Sequence, residues 1–204
     1  MVKLDLKKKY RDLFNPPTRD FVEVHPPKMA FVKINGEGDP NTAAAYRVGI
    51  EWLYSVSYAM KFAAKSKLAN DYVVPPLEAL WWSDDPGTFV RREKDRWHWT
   101  IMIMAPEFVT NGLFDDAVAK TLLKRDDRPS SLRFESFDEG RSLQIMHIGS
   151  YDDEGPKLQR LHHEIMPLLG VTFDGPHHEI YLSDPRKTAT SKLKTILRQP
   201  IRDV

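Results

Sequence analysis

The side chain with the clearest chemical potential in this chain is Glu179, set mid-strand in His177-His178-Glu179-Ile180-Tyr181-Leu182. A strand alternates its faces, so Glu179 shares one with His177 and Tyr181. A carboxylate buried there without partners would cost about several kcal/mol, so Glu179 either faces solvent or has a task. Neither same-face neighbour is a fixed cation, and loss of water then predicts a raised pKa. Such a group can act as a general base or as the counter-charge of a cationic ligand. Aromatic residues supply the second signal. Trp81, Trp82, Trp97 and Trp99 fall on two strand-like runs, and Tyr54 and Tyr58 lie four apart on a helical run. Indole and phenol faces suit flat, apolar or cationic ligands. Part of the cluster must be core, because adjacent Trp81 and Trp82 point to opposite faces.

Other constellations carry less. His162-His163 and His177-His178 are adjacent pairs, which diverge on a helix or a strand, so neither chelates alone. No HExxH string is present and the chain has no cysteine, so no metal or cofactor is expected. Gly36-x-Gly38 runs into Asp39-Pro40 and reads as a turn. Ser183-Asp184 looks like a nucleophile pair but recurs as Ser83-Asp84, the behaviour of a structural turn.

The elements that must position Glu179 and the aromatics occur twice in order. Phe31-Val32-Lys33-Ile34-Asn35-Gly36 and Ile145-Met146-His147-Ile148-Gly149 are strands with glycine exits. Each precedes a helix, a strand ending in a Ser-Asp turn, and a further strand. In the first copy the helix is capped at Asn41 or Thr42, with an apolar stripe of Val48, Trp52, Val56, Ala59, Phe62 and Ala63. Strands follow at Leu77 to Trp82 and Trp97 to Met104, then a helix from Gly112 to Lys124. The second copy has Leu132 to Phe137 and Ser142 to Ile148 as a hairpin, a helix from Pro156 to Leu168, and strands at His178 to Leu182 and Lys192 to Leu197. Phe21 to Val24 makes a first strand after a charged lead-in. The fold class is α+β, a single domain over 1–204 with pseudo-repeats at about 20–106 and 131–200. Modules that cannot close their own sheets pair, which puts a ligand cleft between them.

Composition narrows the partners. Net charge is +1, so neither nucleic acid nor an anionic membrane is the default partner. The N-terminal stretch lacks the apolar core of a signal peptide, and no apolar run approaches a bilayer span, so a cytoplasmic location is expected.

At His177-His178-Glu179-Ile180-Tyr181-Leu182-Ser183-Asp184-Pro185-Arg186-Lys187, with Trp97-x-Trp99 and the doubled order of elements, the chain resembles the GyrI-like small-molecule-binding family. The likeness runs from Phe21 to Pro200. It implies two antiparallel-sheet modules about a pseudo-twofold axis, with a glutamate at the floor of the cleft, which maps onto Glu179. Family members include effector-binding domains of multidrug-responsive regulators and stand-alone proteins, some of which hydrolyse the cyclopropane of DNA-alkylating natural products. About 20 residues precede the first strand here, too few for the helix-turn-helix region of such regulators, so a stand-alone protein is expected.

Two functions follow from the resemblance. One is a module that binds hydrophobic or cationic small molecules through Glu179, with Trp99, Tyr54, Tyr58, Trp82 and Tyr181 as ligand contacts. The other is a cyclopropane hydrolase with Glu179 as base and with Trp99 and Tyr54 holding the ring.

Overall fold

The computed structural model describes residues 3–85 and 87–204; Pro86 of the first Ser-Asp turn lies outside them. Its strands, in chain order, are β1 (Val22–Val24), β2 (Met29–Glu37), β3 (Leu77–Trp82), β4 (His98–Ala105), β5 (Arg133–Phe137), β6 (Ser142–Ile148), β7 (Val171–Phe173), β8 (His177–Tyr181) and β9 (Lys194–Asp203). The chain divides into two compact units, Met1–Lys9 with Lys28–Phe137 and Tyr10–Pro27 with Asp138–Val204.

In the first unit β4 pairs antiparallel with both β3 and β2, and β5 pairs antiparallel with the other edge of β2. The helix Ala44–Lys67 lies on β2 and β4 and also packs on the helix Asn111–Leu122. Its buried stripe is Gly49, Trp52, Leu53, Val56, Met60 and Ala64. Phe62, expected in that stripe, is 56% exposed and stacks on Tyr58 along the outer surface. The reason lies at Gly49, where an added Cβ would come within 2.8 Å of Ile101; this close approach turns the Gly49 face inward. The expected caps are also corrected. The helix begins after Ala43 with no side-chain cap, and Asn41 instead donates its backbone and amide N–H groups to Asp39 Oδ1 at 2.9 and 2.8 Å.

In the second unit β6 pairs antiparallel with β1 and β9, and β9 carries β7 and β8 on its other edge in successive stretches. The helical segment after β6 runs from Gly155–Arg160 through a π turn at Leu161–Ile165 to Met166–Leu169. Leu143, Leu161, Met166, Val171 and Ile201 form part of this unit's core. β9 extends through Pro200 to Asp203, beyond its expected end, because β7 lengthens the edge it can pair with. β7 was not legible in the sequence.

The expected hairpin between Leu132–Phe137 and Ser142–Ile148 does not form: β5 pairs with β2, and β6 with β1 and β9. The connecting turn explains the break. Gly140 takes φ +74°, open to glycine, and Glu139 is drawn into a buried ion network described below. The units therefore cut across the expected repeat boundaries, since β1 belongs with the second unit and β5 with the first.

Candidate functional site

Strand β8 presents two different faces. His178 and Ile180 are buried on one, while His177, Glu179 and Tyr181 are half-buried on the other. The buried face is anchored by charge. His178 Nδ1 lies 2.7 Å from Glu139 Oε1, and Arg198 Nη1 donates to Glu139 Oε2 at 2.8 Å. Arg198 also donates to Gln144 Oε1 at 3.0 and 2.9 Å and to the Leu13 carbonyl at 3.0 Å. Gln144 in turn donates to the Asp12 carbonyl at 2.7 Å. Burial pushes the Glu139 carboxyl up, but His178 and Arg198 outweigh it and hold the group at about 2. This network fixes β8 in register against β9 and so fixes where Glu179 points.

On the other face the Tyr181 hydroxyl donates to Glu179 Oε2 at 2.8 Å. His177 Nε2 lies 3.7 Å from Glu179 Oε1, and the Glu179 side chain retains 15% exposure. Burial, with His162 and His178 nearby, pushes His177 down to about 3, so its ring is neutral. The ring of Tyr151 stands edge-on to Tyr181 at 5.6 Å between centroids. Burial and the charge of Glu179 push the Tyr151 phenol up to about 12.

A second carboxyl joins this group from the turn after β6. Gly149 leaves the strand at φ +143°, a conformation that a side chain would strain, and an added Cβ there would meet His147 Nε2 at 3.2 Å. His147 Nε2 is 2.8 Å from the Ser150 carbonyl, and Ser150 Oγ donates to Asp153 Oδ2 at 2.6 Å. The turn thereby delivers Tyr151 and Glu154. Glu154 is 5% exposed, and burial with the charges of Glu179 and Asp152 pushes its carboxyl up to about 10. Burial and these neighbouring acids together favour the neutral form of Glu154. Sequence reasoning missed Tyr151 and Glu154, whose only sequence signal was their position just past the Gly149 exit.

The remaining expected site residues lie in the first unit. Trp99 was expected to be part-exposed in a concave site; it is fully buried. It pairs across from Gly36, whose lack of a Cβ leaves room for the indole ring, and Tyr46 packs edge-on at 5.0 Å. Trp82 is half-buried and stacks on His98 at 5.8 Å. Tyr54 and Tyr58 stack at 6.4 Å, with Tyr58 47% exposed. A concavity of about 210 Å³ at the end of β3 and β4 is lined by Glu37, Ser83, Asp84, Asp95, Arg96 and His98; Glu179 is not part of it. The Ser-Asp turns are structural. Ser83 Oγ donates to the Arg96 carbonyl at 3.2 Å, and Ser183 Oγ accepts from the Lys194 N–H at 3.1 Å. Asp184 accepts from the Arg186 N–H and guanidinium. Among the described residues, no three histidine or acidic side chains are grouped to hold a metal ion, and no helix is long and apolar enough to cross a membrane.

Comparison with known proteins places this geometry in context. No curated protein matches the chain. Among solved structures, an uncharacterized conserved protein from Listeria innocua is 34% identical, with 98% of this chain and 100% of that one covered and a TM-score of 0.89. A structure described as a hydrolase from Listeria innocua is also 34% identical at the same coverage, with a TM-score of 0.82. The EcmrR C-terminal domain shares the fold at 10% identity, covering 91% of this chain and 98% of that one, with a TM-score of 0.59. The profile of the GyrI-like small molecule binding domain matches residues 20–202, and the chain belongs to that family.

Proposed function

We propose that this chain binds hydrophobic or cationic small molecules in the cytoplasm, with Glu179 as the anionic anchor and no nucleic-acid partner. The observation that carries the reading is the Glu179 carboxylate itself: part-accessible, and oriented by the Tyr181 hydroxyl at 2.8 Å. At 15% exposure the Glu179 side chain is largely screened from solvent, which strengthens any ion pair formed there. Tyr181 is the aromatic contact nearest the anchor, and Tyr54, Tyr58 and Trp82 are the aromatic candidates in the first unit. The order β5-β2-β4-β3 in one unit matches β1-β6-β9-β8 in the other, which supports reading the chain as a repeat. Equilibrium dialysis against a panel of lipophilic cations tests the anchor. Wild type should bind at least one of them about tenfold more tightly than Glu179→Gln, the scale of a lost charge-assisted contact. Equal, weak binding of the whole panel by both proteins would end the proposal.

A second reading is hydrolysis, favoured by one further observation: burial favours the protonated form of Glu154, a carboxyl that feels the charge of Glu179. That is the division of labour used when one group takes a proton from water and another supplies one to the leaving atom. A 34%-identical structure described as a hydrolase points the same way. The substrate would be an electrophilic cyclopropane of a DNA-alkylating natural product, with Glu179 as base. Mass spectrometry would then show one water added to the substrate by wild type and none by Glu179→Gln.

A further inference from the structure

We propose that His147 and Thr195 form a subsite that reads a hydroxyl group of the ligand, and that the segment 150–160 covers it and lifts to admit the ligand. This rests on the reading of Glu179 as a cation anchor. It narrows the ligand class to organic cations that carry a hydroxyl.

The sheet register sets three residues in one row. Thr195 of β9 stands across from His147 of β6 on one side and from Tyr181 of β8 on the other. Directly opposed residues share a face, with Cβ atoms about 4.5–5.5 Å apart. His147 and Thr195 therefore lie on the face of Tyr181 and Glu179. His147 is 3% exposed and Thr195 is fully buried. The Ser150 carbonyl can only accept, so the His147 Nε2 at 2.8 Å from it carries the hydrogen. Nδ1 is then the acceptor of the neutral ring. It is buried with no hydrogen-bond partner in the protein, and so is Thr195 Oγ1. Unmatched buried polar atoms are costly, and two in one row of a sheet call for a ligand group that matches both. An alcohol does so, donating to Nδ1 and accepting from the Thr195 O–H.

The cover over this row is weakly held. Its first joint is Gly149, at φ +143°, and its second is the π turn Leu161–Ile165. Glu154 is the one buried side chain among residues 150–160, and its Oε1 has no hydrogen-bond partner either. Beyond the second joint Leu161 and Met166 are packed into the core with Leu143, Val171 and Ile201. The ties on the cover itself are polar. Lys157 Nζ donates to the Thr18 carbonyl at 2.7 Å, and Arg160 Nη1 to the Arg19 carbonyl at 2.6 Å. Tyr151 stands edge-on to Tyr181 at 5.6 Å, which places the cover beside the row, since Tyr181 is directly across from Thr195. A segment with few buried apolar contacts and exposed hydrogen bonds opens at low cost, and π turns recur at functional sites.

Thr195 lies two residues along the sheet and one strand across from Glu179, about 8 Å away. N-(6-hydroxyhexyl)quinolinium spans that distance between charge and hydroxyl, and N-heptylquinolinium puts a methyl in the hydroxyl's place. Equilibrium dialysis gives both affinities. Thr195→Val keeps the side-chain shape and removes an unpartnered buried hydroxyl, so the fold is kept. The affinity ratio of hydroxyhexyl to heptyl should be about threefold to tenfold higher in wild type than in this variant. Glu179→Gln should weaken both compounds and leave the ratio in place. Equal ratios in wild type and Thr195→Val would overturn the subsite, leaving a trapped water only between His147 and Thr195, with the anchor reading intact. Wild type that binds neither compound, or Glu179→Gln that binds both as tightly, would overturn the anchor reading and this inference with it. Hydrogen exchange reads the cover. The Asp153, Lys157 and Leu158 N–H groups, bonded at 3.1, 3.0 and 3.2 Å to the Ser150 and Glu154 carbonyls, should exchange faster than the Met166 N–H, which bonds to the Leu161 carbonyl. Bound N-(6-hydroxyhexyl)quinolinium should slow them by about tenfold or more. Exchange as slow as that of Met166 in the free protein, or no slowing on binding, would overturn the lifting of the cover.

Discussion

Replacing Glu154 by glutamine should make the protein more stable, and by an amount that depends on pH. Glu154 is 5% exposed and its carboxyl is pushed up to about 10 by burial and by Glu179, against an ordinary value of 4.5. The raised value means that the folded state keeps a proton which the unfolded chain loses above 4.5. Stability from this group is therefore fully present below 4.5 and declines as pH rises toward 10. At neutral pH the folded value lies well above the solution pH, so the loss is set by the distance from 4.5 alone. At 1.36 kcal/mol per unit it amounts to about 3–4 kcal/mol at pH 7 to 7.5. Glutamine copies the shape and neutrality of the protonated acid without that loss. Since Glu154 Oε1 has no hydrogen-bond partner, the substitution forfeits no bond made by that atom.

Urea unfolding of both proteins at several pH values measures this. The difference should be near zero at about pH 4.5 and grow by about 1.4 kcal/mol per unit to about pH 8. His177 gives the wild-type curve a second feature. Its folded value of about 3 means that stability from this group is present above 6.5 and is lost as pH falls toward 3. Between about pH 4.5 and 6.5 the two slopes oppose each other in wild type, and above 6.5 the Glu154 slope stands alone. Glu154→Gln should therefore rise in stability up to about pH 6.5 and then level off. A difference that is constant with pH, or a variant less stable than wild type at pH 7.5, would refute a neutral Glu154.

Other perturbations probe the elements that hold the site. Arg198→Met leaves Glu139 buried and short of its guanidinium partner, and should cost about 3–5 kcal/mol in urea unfolding at pH 7. The same network has an acid signature. Glu139 is held at about 2, so its stabilisation is present above 4.5 and is lost as pH falls toward 2; Glu139→Gln should flatten that limb of the unfolding curve. Gly36→Ala would drive a methyl into the Trp99 ring and should cost about 1–3 kcal/mol, with a changed near-ultraviolet dichroism of the indole. Tyr181→Phe removes the phenol that orients Glu179, and should weaken lipophilic-cation binding while leaving the unfolding midpoint within about 1 kcal/mol of wild type.

Regular elements were legible where side-chain period and turn chemistry agreed. Leu77–Trp82 and Ser142–Ile148 fall where alternation and flanking polar turns set them. Pairing partners were less legible, because strand period is local and register is not. The hairpin expected at Asp138-Glu139-Gly140 rested on turn residues alone. What redirects the chain there is Glu139 meeting Arg198 from 59 positions away, which no window of sequence displays. The fate of Trp99 has the same origin. Alternation gave its face correctly, but its burial depends on the absent side chain of Gly36 directly across the sheet. Glu179 stood out as a candidate because a carboxylate in a half-apolar strand is anomalous and the family resemblance points to the same position. Glu154 looks ordinary in Asp152-Asp153-Glu154, a run that reads as a solvated acidic turn. It becomes chemically distinctive only when folding buries one of the three and sets it near Glu179. A charge-bearing residue stands out in sequence when its neighbours are wrong for it. When its neighbours are equally acidic, the anomaly exists only in three dimensions, and the unpartnered oxygen of a buried acid is where it becomes visible.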